Sequence, residues 1–260
     1  QLVVRQDWAS AVTGTSVVTE FALLKRVWEL GIKVPQPLLL ESSAEALGAP
    51  FIVVARMPGS GQGDIFNPPR SATLALDVAT ELGKLHALPV ADFDALAVPT
   101  EAYHAEQLRT GLAGFRALQA QLGLQRPMIS IAMDWLERNI DRVTGERAML
   151  HNDLGCHNFL IEGEELRAFL DWELAHIGNP GADLGYVRGW IGKMIDWDRF
   201  MAAYHAAGGP PISALTLDFY TIWCGIRLYT LLIQARAGVA MNVVRDTEIT
   251  YAATAFMAQQ

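Results

Sequence analysis

The sequence predicts an α+β fold in two unequal parts: a small mixed N-terminal lobe with an antiparallel sheet and one helix, and a larger, mostly helical C-terminal lobe. Three observations carry this expectation. Short apolar runs bounded by proline and glycine fill residues 1–57, as strands and their turns do. Beyond residue 60 the apolar residues recur at spacings of three and four, the period of helices that bury one face. Two further strand-length runs, Phe159–Glu162 and Leu166–Leu170, flank a turn containing Gly163 and so place one hairpin inside the helical part.

In chain order, Leu2, Val3, Val4 and Arg5 form a short strand that ends in a cation, followed by a connection over Trp8–Thr15. Glu20 opens an amphipathic helix with Phe21, Leu24, Val27, Trp28 and Leu30 on one stripe, stopped by Gly31. Val34-Pro35-Gln36-Pro37 leads into the strand Leu38-Leu39-Leu40, and Pro50 into the strand Phe51 to Met57, which ends at Pro58-Gly59. Helices are predicted over 71–88, 100–122 and 127–143, the first with Leu74, Val78, Leu82 and Leu85 on its inner face. The tail from Asp183 to Gln260 reads as several more helices, broken at Gly208-Gly209-Pro210-Pro211. The expected division is 1–57 for the first lobe and 58–260 for the second, with no internal repeat or low-complexity tract.

The residues richest in chemistry lie at 151–158 and 171–173. His151-Asn152-Asp153 runs through Cys156 and His157 to Asn158, and Asp171-Trp172-Glu173 follows the hairpin. Phosphoryl transfer asks for one acceptor to orient and deprotonate the attacking hydroxyl, and for oxygen ligands on the magnesium that bridges the phosphates. In a kinase-type loop, H-x-D-x-x-x-x-N, the Asp takes the proton and the Asn holds metal, with a later Asp on the metal's other side. Asp153, Asn158 and Asp171 fit those three places. Each has a plainer reading: Asp153 as a capping carboxylate, Asn158 as a brace for loop amides. An unpaired carboxylate after the apolar strand Leu166–Leu170 would be costly, whereas magnesium would neutralise Asp171. His151 is expected to brace the loop, because Asp153 already holds the base position. Glu173 suits an approach to a second metal or to the substrate, and equally a structural hydrogen bond. Asp183 heads a helix start, where a carboxylate caps free N–H groups. His151, Cys156 and His157 do not make a zinc site, which generally needs four nitrogen or sulfur ligands at recurrent spacings.

Residues 151–184 resemble the aminoglycoside phosphotransferase/choline kinase family, whose members typically show H-G-D-x-x-x-x-N and then D-W-E-x-A-x-x-G-x-P-x-x-D-L. Here the second half runs Asp171-Trp172-Glu173-Leu174-Ala175-His176-Ile177-Gly178-Asn179-Pro180-Gly181-Ala182-Asp183-Leu184. The chain is similar to a bacterial branch related to the kinase-like part of some acyl-CoA dehydrogenase fusions. The resemblance implies a bilobal protein-kinase-like fold, ATP and Mg2+ as cofactors, and a small-molecule hydroxyl substrate. It assigns Arg5 and Glu20 to the places where kinases carry a phosphate-contacting Lys and its Glu partner. Arg is a departure, since it presents a planar fork rather than a point charge. Pro58-Gly59 resembles the inter-lobe hinge, so backbone groups from Ala55 to Met57 would meet the adenine edge, with Val54 behind it. The phosphate-covering loop is expected to precede the Arg5 strand, outside a sequence that begins at Gln1. In the family the residue matching Asp183 braces the catalytic loop. Protein kinases carry Asp-Phe-Gly and a later A-P-E segment, where this chain has Asp171-Trp172-Glu173 and no recognisable A-P-E.

Substrate choice is expected to lie in the helical part. Trp190, Asp196, Trp197, Asp198, Tyr220, Trp223 and Tyr229 could cage a cation, although aromatics at helical spacing are more often core. Arg188 and Arg227 could instead receive the carboxylate of a hydroxy acid. Two other classes stay open: a pseudokinase-like module that binds nucleotide without turnover, and a metal-dependent hydrolase with paired carboxylates.

Bulk properties narrow the partners. A net charge of −8 and a pI near 5.2 argue against nucleic acid, which needs a basic face. Two cysteines, Cys156 and Cys224, are too few for a disulfide framework and suggest a reducing compartment. The most apolar stretch, 219–233, is interrupted by Arg227 and is short for a bilayer. A cytoplasmic protein with no membrane partner is expected; the sequence does not indicate an oligomeric state.

Overall fold

A computed structural model describes residues 1–7, 16–63, 67–96, 105–123 and 126–240. The predicted connection over Trp8–Thr15, the first residues of the predicted helix 100–122 and the tail beyond 240 lie outside them.

Three strands, β1 (Leu2–Gln6), β2 (Pro37–Glu41) and β3 (Phe51–Ala55), form an antiparallel sheet in the order β1-β3-β2. Arg5 stands opposite Ile52, whose side chain is buried. The helix α1 (Val17–Glu29) crosses behind the sheet. It begins three residues earlier than the position of Glu20 suggested, because Ser16 and Asp7 cap it together. Ser16 Oγ accepts from the Val18 amide at 3.2 Å and Asp7 Oδ1 from the Val17 amide at 2.8 Å. Its buried face is Val17, Glu20, Leu23, Leu24 and Val27, with Phe21 and Leu30 partly buried beside it and Trp28 exposed. Glu20 therefore sits on the core side of its helix.

The chain then turns at Pro58-Gly59 toward the helical part. Ser60 and Ile161 exchange backbone hydrogen bonds at 3.1 and 3.0 Å. This closeness explains Gly59: its φ is +101°, and a Cβ there would stand 2.7 Å from the Ile161 carbonyl oxygen. Helix α2 (Ala72–His86) is capped by Ser71 and buries Leu74, Val78, Leu82 and Leu85, as its spacing predicted. Helices α3 (Ala105–Gln121) and α4 (Pro127–Asn139) follow. Next come β4 (Ala148–Leu150), the hairpin β5 (Phe159–Glu162) and β6 (Glu165–Phe169), and β7 (His176–Gly178). β4 and β7 pair antiparallel, with Leu150 opposite His176. Helices α5 (Gly181–Ile191), α6 (Trp197–Ala206) and α7 (Ala214–Ala240) complete the described chain.

One apolar core runs from Val17, Leu24 and Val27 of α1 through α2 and the hairpin to Leu184, Trp190 and Phe200. A second joins Leu112, Met133 and Leu136 to Phe219 and Ile226 of α7. Among the described residues no helix is long and apolar enough to cross a membrane.

Candidate active site

The loop between β4 and β5 is built around a buried carboxylate. Asp183, in the first turn of α5, accepts from the His151 amide at 2.9 Å and from the Asn152 amide at 2.7 Å. The helix starts at Gly181, so Asp183 secures the loop rather than capping its own helix. Burial alone would raise its pKa. Hydrogen bonding and charge from His86, together with His151, outweigh that and hold it below the ordinary carboxylate value. His86 Nε2 lies 3.1 Å from the carboxylate and its Nδ1 2.9 Å from the Tyr204 hydroxyl. A buried polar chain thus runs from α6 through α2 and α5 to the loop.

His151 is fully buried, and burial pushes its pKa below the ordinary histidine value. Its neutral ring donates from Nε2 to the Leu170 carbonyl at 2.8 Å and accepts the Asp153 amide at Nδ1, 3.2 Å away. These bonds describe a brace, since both nitrogens are spent on backbone. The Leu170 amide in turn donates to the Asn158 carbonyl at 2.8 Å, which ties the end of the hairpin to the loop.

Asp153 is half-buried, and both its carboxylate oxygens are held. The Tyr186 hydroxyl donates to Oδ1 at 3.0 Å, and Asn158 Nδ2 donates to Oδ2 at 2.9 Å and to the Asp153 carbonyl at 3.0 Å. With its nitrogen so engaged, Asn158 keeps an amide oxygen as the atom it can offer a cation. Asp171 adopts a left-handed conformation at φ 62°. Asn152 does so too, at φ 65°, in the position where the family pattern has glycine. Asn is among the residues that tolerate this region best. Arg227 of α7 secures it, donating to Asn152 Oδ1 and to its carbonyl, each at 2.7 Å. The same guanidinium lies over the Tyr186 ring at 5.5 Å.

Arg5 reaches the site from β1. It pairs with Glu20, donates to Asp171 Oδ1 at 2.9 Å and comes within 3.5 Å of Glu173. One cation therefore faces three carboxylates. Burial drives the Glu20 pKa up to about 7; Arg5 opposes this, while Asp171 and Glu173 add to it. Glu173 thus serves at least as an ion-pair partner.

At the bend the Ala55 amide donates to the Gln36 carbonyl at 2.9 Å and the Arg56 amide to the Gln1 carbonyl at 3.1 Å. The Ala55 N–H is consequently not a donor for an adenine edge. Met57 is the candidate whose amide makes no backbone hydrogen bond among the described residues, and half-buried Val54 packs on the core below it.

Of the two readings of these aromatics, core and cation cage, the structure shows core packing. Trp190, Tyr220 and Tyr229 are buried, and Trp223 packs on Phe115 and Phe219. Asp196 caps α6 through the Asp198 amide. Arg188 pairs with Asp218 at 2.6 Å and lies over Trp197, so neither it nor Arg227 is an unengaged carboxylate receptor. Tyr186 and His86 are the site residues that sequence reasoning missed, and Arg227, read there as a carboxylate receptor, instead holds Asn152. Tyr186 had one available signal: it lies three positions after Asp183, on the same helix face.

Beside Tyr186 a cleft of about 240 Å³ opens between α5 and α7, lined in part by Trp190, Cys224 and Leu228.

A small sheet and helix set against a helical body, with a braced His-x-Asp loop and a hairpin aspartate between them, define a protein-kinase-like fold, that of the aminoglycoside phosphotransferases. The chain belongs to the phosphotransferase enzyme family (APH), whose model matches residues 2–220. It is 29% identical over 175 residues to acyl-CoA dehydrogenase family member 11 of Homo sapiens, a match covering 64% of this chain and 22% of that protein. The chain thus spans about a fifth of the curated relative's length. In fold it is similar to the macrolide 2'-phosphotransferase MphH from Brachybacterium faecium, with a TM-score of 0.62, 19% identity and 98% and 83% of the two chains covered. It is likewise similar to APH(2″)-IIIa in its complex with GDP and kanamycin, with a TM-score of 0.69, 16% identity and 99% and 86% covered.

Proposed function

We propose that this chain transfers the γ-phosphoryl group of ATP to a hydroxyl of a small molecule. The observation that carries the reading is the double hold on Asp153 beside Asp171. Tyr186 and Asn158 orient the two oxygens of Asp153, while the Leu170 amide and the His151 ring tie the Asp171 segment to the same loop. Asp153 is then the base that aligns the acceptor hydroxyl and takes its proton. In this reading residues 1–57 cover the nucleotide, with Val54, Ala55 and Met57 around the adenine, and residues 58–260 carry the chemistry and the acceptor. The solved neighbour holding GDP and kanamycin supports a nucleotide with a small acceptor.

The donor set also fits magnesium. Asn158 and Asp171 offer hard oxygens, and the carboxylates around Arg5 outnumber it. Among the described residues no three His, Cys, Asp or Glu side chains form a ready cage, so phosphate oxygens would complete the shell. Bound there, Mg2+ would neutralise charge on the transferring phosphoryl group. Glu20 holds Arg5 at the phosphate side of the sheet.

The test is Mg·ATP-dependent ADP release on pools of aminoglycosides, choline-like amines, sugars and hydroxy acids. One pool should stimulate release. Asp153→Ala should lower that release by about 10²–10⁴-fold while still binding Mg·ATP. Wild-type turnover in that variant would remove Asp153 from the base role. A second reading, a nucleotide-binding module without turnover, is favoured by the Arg5 contact to Asp171, the carboxylate assigned to metal. Stoichiometric Mg·ATP binding with no ADP release on any pool would support it.

A further inference from the structure

The cleft between α5 and α7 has a construction that packing alone does not explain. The two helices touch where Gly185 meets α7, since a Cβ there would lie 2.5 Å from the Tyr220 carbonyl carbon and 2.6 Å from the Thr221 nitrogen. One turn further on they part. Gly189 and Gly225 line the cleft, both inside helices and neither with a positive φ, yet a Cβ on either would meet nothing within 4 Å. Glycine is the poorest residue for a helix interior after proline, so at these two positions it brings a cost with no packing return. What it does is keep the space open.

The polar groups in this wall are nearly all spent. The Thr221 hydroxyl donates to the Leu217 carbonyl, the Cys224 thiol to the Ala182 carbonyl, and the Tyr186 hydroxyl to Asp153. Trp190 is the exception: its indole nitrogen is buried and has no hydrogen-bond partner among the described residues. Buried donors are seldom left unpaired, and this one belongs to a residue that lines the cleft. Among the described residues no carboxylate lines the cleft, and the nearby Arg227 adds positive charge. A polycation would find no counter-charge on these walls. The volume of about 240 Å³ also falls below the ~300–1,000 Å³ of pockets for drug-sized ligands.

We propose that this cleft seats the acceptor, and that the acceptor is a slim, uncharged and largely apolar alcohol rather than a polycationic sugar. The inference rests on the phosphotransferase reading and deepens it. Tyr186 lines the cleft and touches Asp153, so a hydroxyl at the end of such a body would arrive beside the base.

The test uses the full chain with bromooctanol, a slim alcohol whose bromine quenches indole emission, and with kanamycin as the polycationic comparison. Tryptophan quenching and Asp153-dependent ADP release from Mg·ATP are read on the same samples. Saturable quenching that is lost in Trp190→Phe and weakened about tenfold or more in Gly225→Leu supports the proposal, provided bromooctanol and not kanamycin drives ADP release. Unchanged Mg·ATP affinity shows that Gly225→Leu is folded, and Gly189→Leu replaces it otherwise. Quenching indifferent to both leucine variants, or ADP release driven by kanamycin alone, overturns the proposal and leaves the phosphotransferase reading standing. Cleft-dependent quenching with no ADP release from either alcohol overturns the acceptor role and counts against the phosphotransferase reading too.

Discussion

Tyr186 bears most directly on how Asp153 works. Its hydroxyl sits 3.0 Å from Oδ1, while Asn158 holds Oδ2, so the carboxylate cannot rotate without breaking a bond. Burial first, and then the charge on Asp153, push the Tyr186 pKa above the ordinary phenol value, so it remains a donor across the working range. A hydrogen bond to a charged group is worth about 1.5–3 kcal/mol. Tyr186→Phe should therefore lower kcat by roughly 10- to 100-fold with the affinity for Mg·ATP unchanged. A kcat that holds while the acceptor KM falls would instead make the phenol a competitor for the acceptor's place. That Asp153, Asn158 and Asp171 come together was legible in the sequence, because one short motif carries their spacing. The hold of Arg227 on Asn152 was not, because the two lie 75 positions apart and meet only when α7 folds against the loop.

At the scale of elements, the helices and the hairpin were readable because their periodicity reports which face is buried. The short strands β4 and β7 were not. Each has three residues, all buried, so neither shows the alternation that marks a half-exposed strand. The start of α1 was misread because half of its cap, Asp7, lies nine positions before Ser16 and meets it only in the fold. The junction of α5 with α7 was equally hidden, since a glycine's reason for being small lies in its neighbour. That junction yields a paired prediction. Gly185→Ala must force a Cβ against the α7 backbone and should cost about 1–3 kcal/mol. Gly189→Ala, one turn away on the same helix, enters open space and should be neutral or stabilising by up to about 1 kcal/mol. Thermal melts of the two variants check this, and equal losses would show that the helices do not touch at Gly185.

Across the whole molecule, the sheet and the helical part share one apolar core and are also joined by charge. Arg5 of β1 meets Glu20 of α1 on one side and Asp171 and Glu173 beyond the hairpin on the other. That junction predicts an uncommon pH response. Burial raises the Glu20 pKa from 4.5 to about 7, against the pull of Arg5. In the unfolded chain the same carboxyl loses its proton near 4.5, so between those values the native state holds a proton that the unfolded state has released. Glu20 therefore contributes its full stability below pH 4.5 and loses it as pH rises through about 7, the opposite of an ordinary salt-bridged carboxylate. The amount at stake is on the order of 3 kcal/mol. Glu20→Gln keeps the shape and removes the titration. The Tm of the native protein relative to that variant should fall steadily from pH 5 to pH 7 and level off above about 7. A difference that stays constant over that range would mean that Glu20 is ionised throughout, with Arg5 holding it as a simple ion pair.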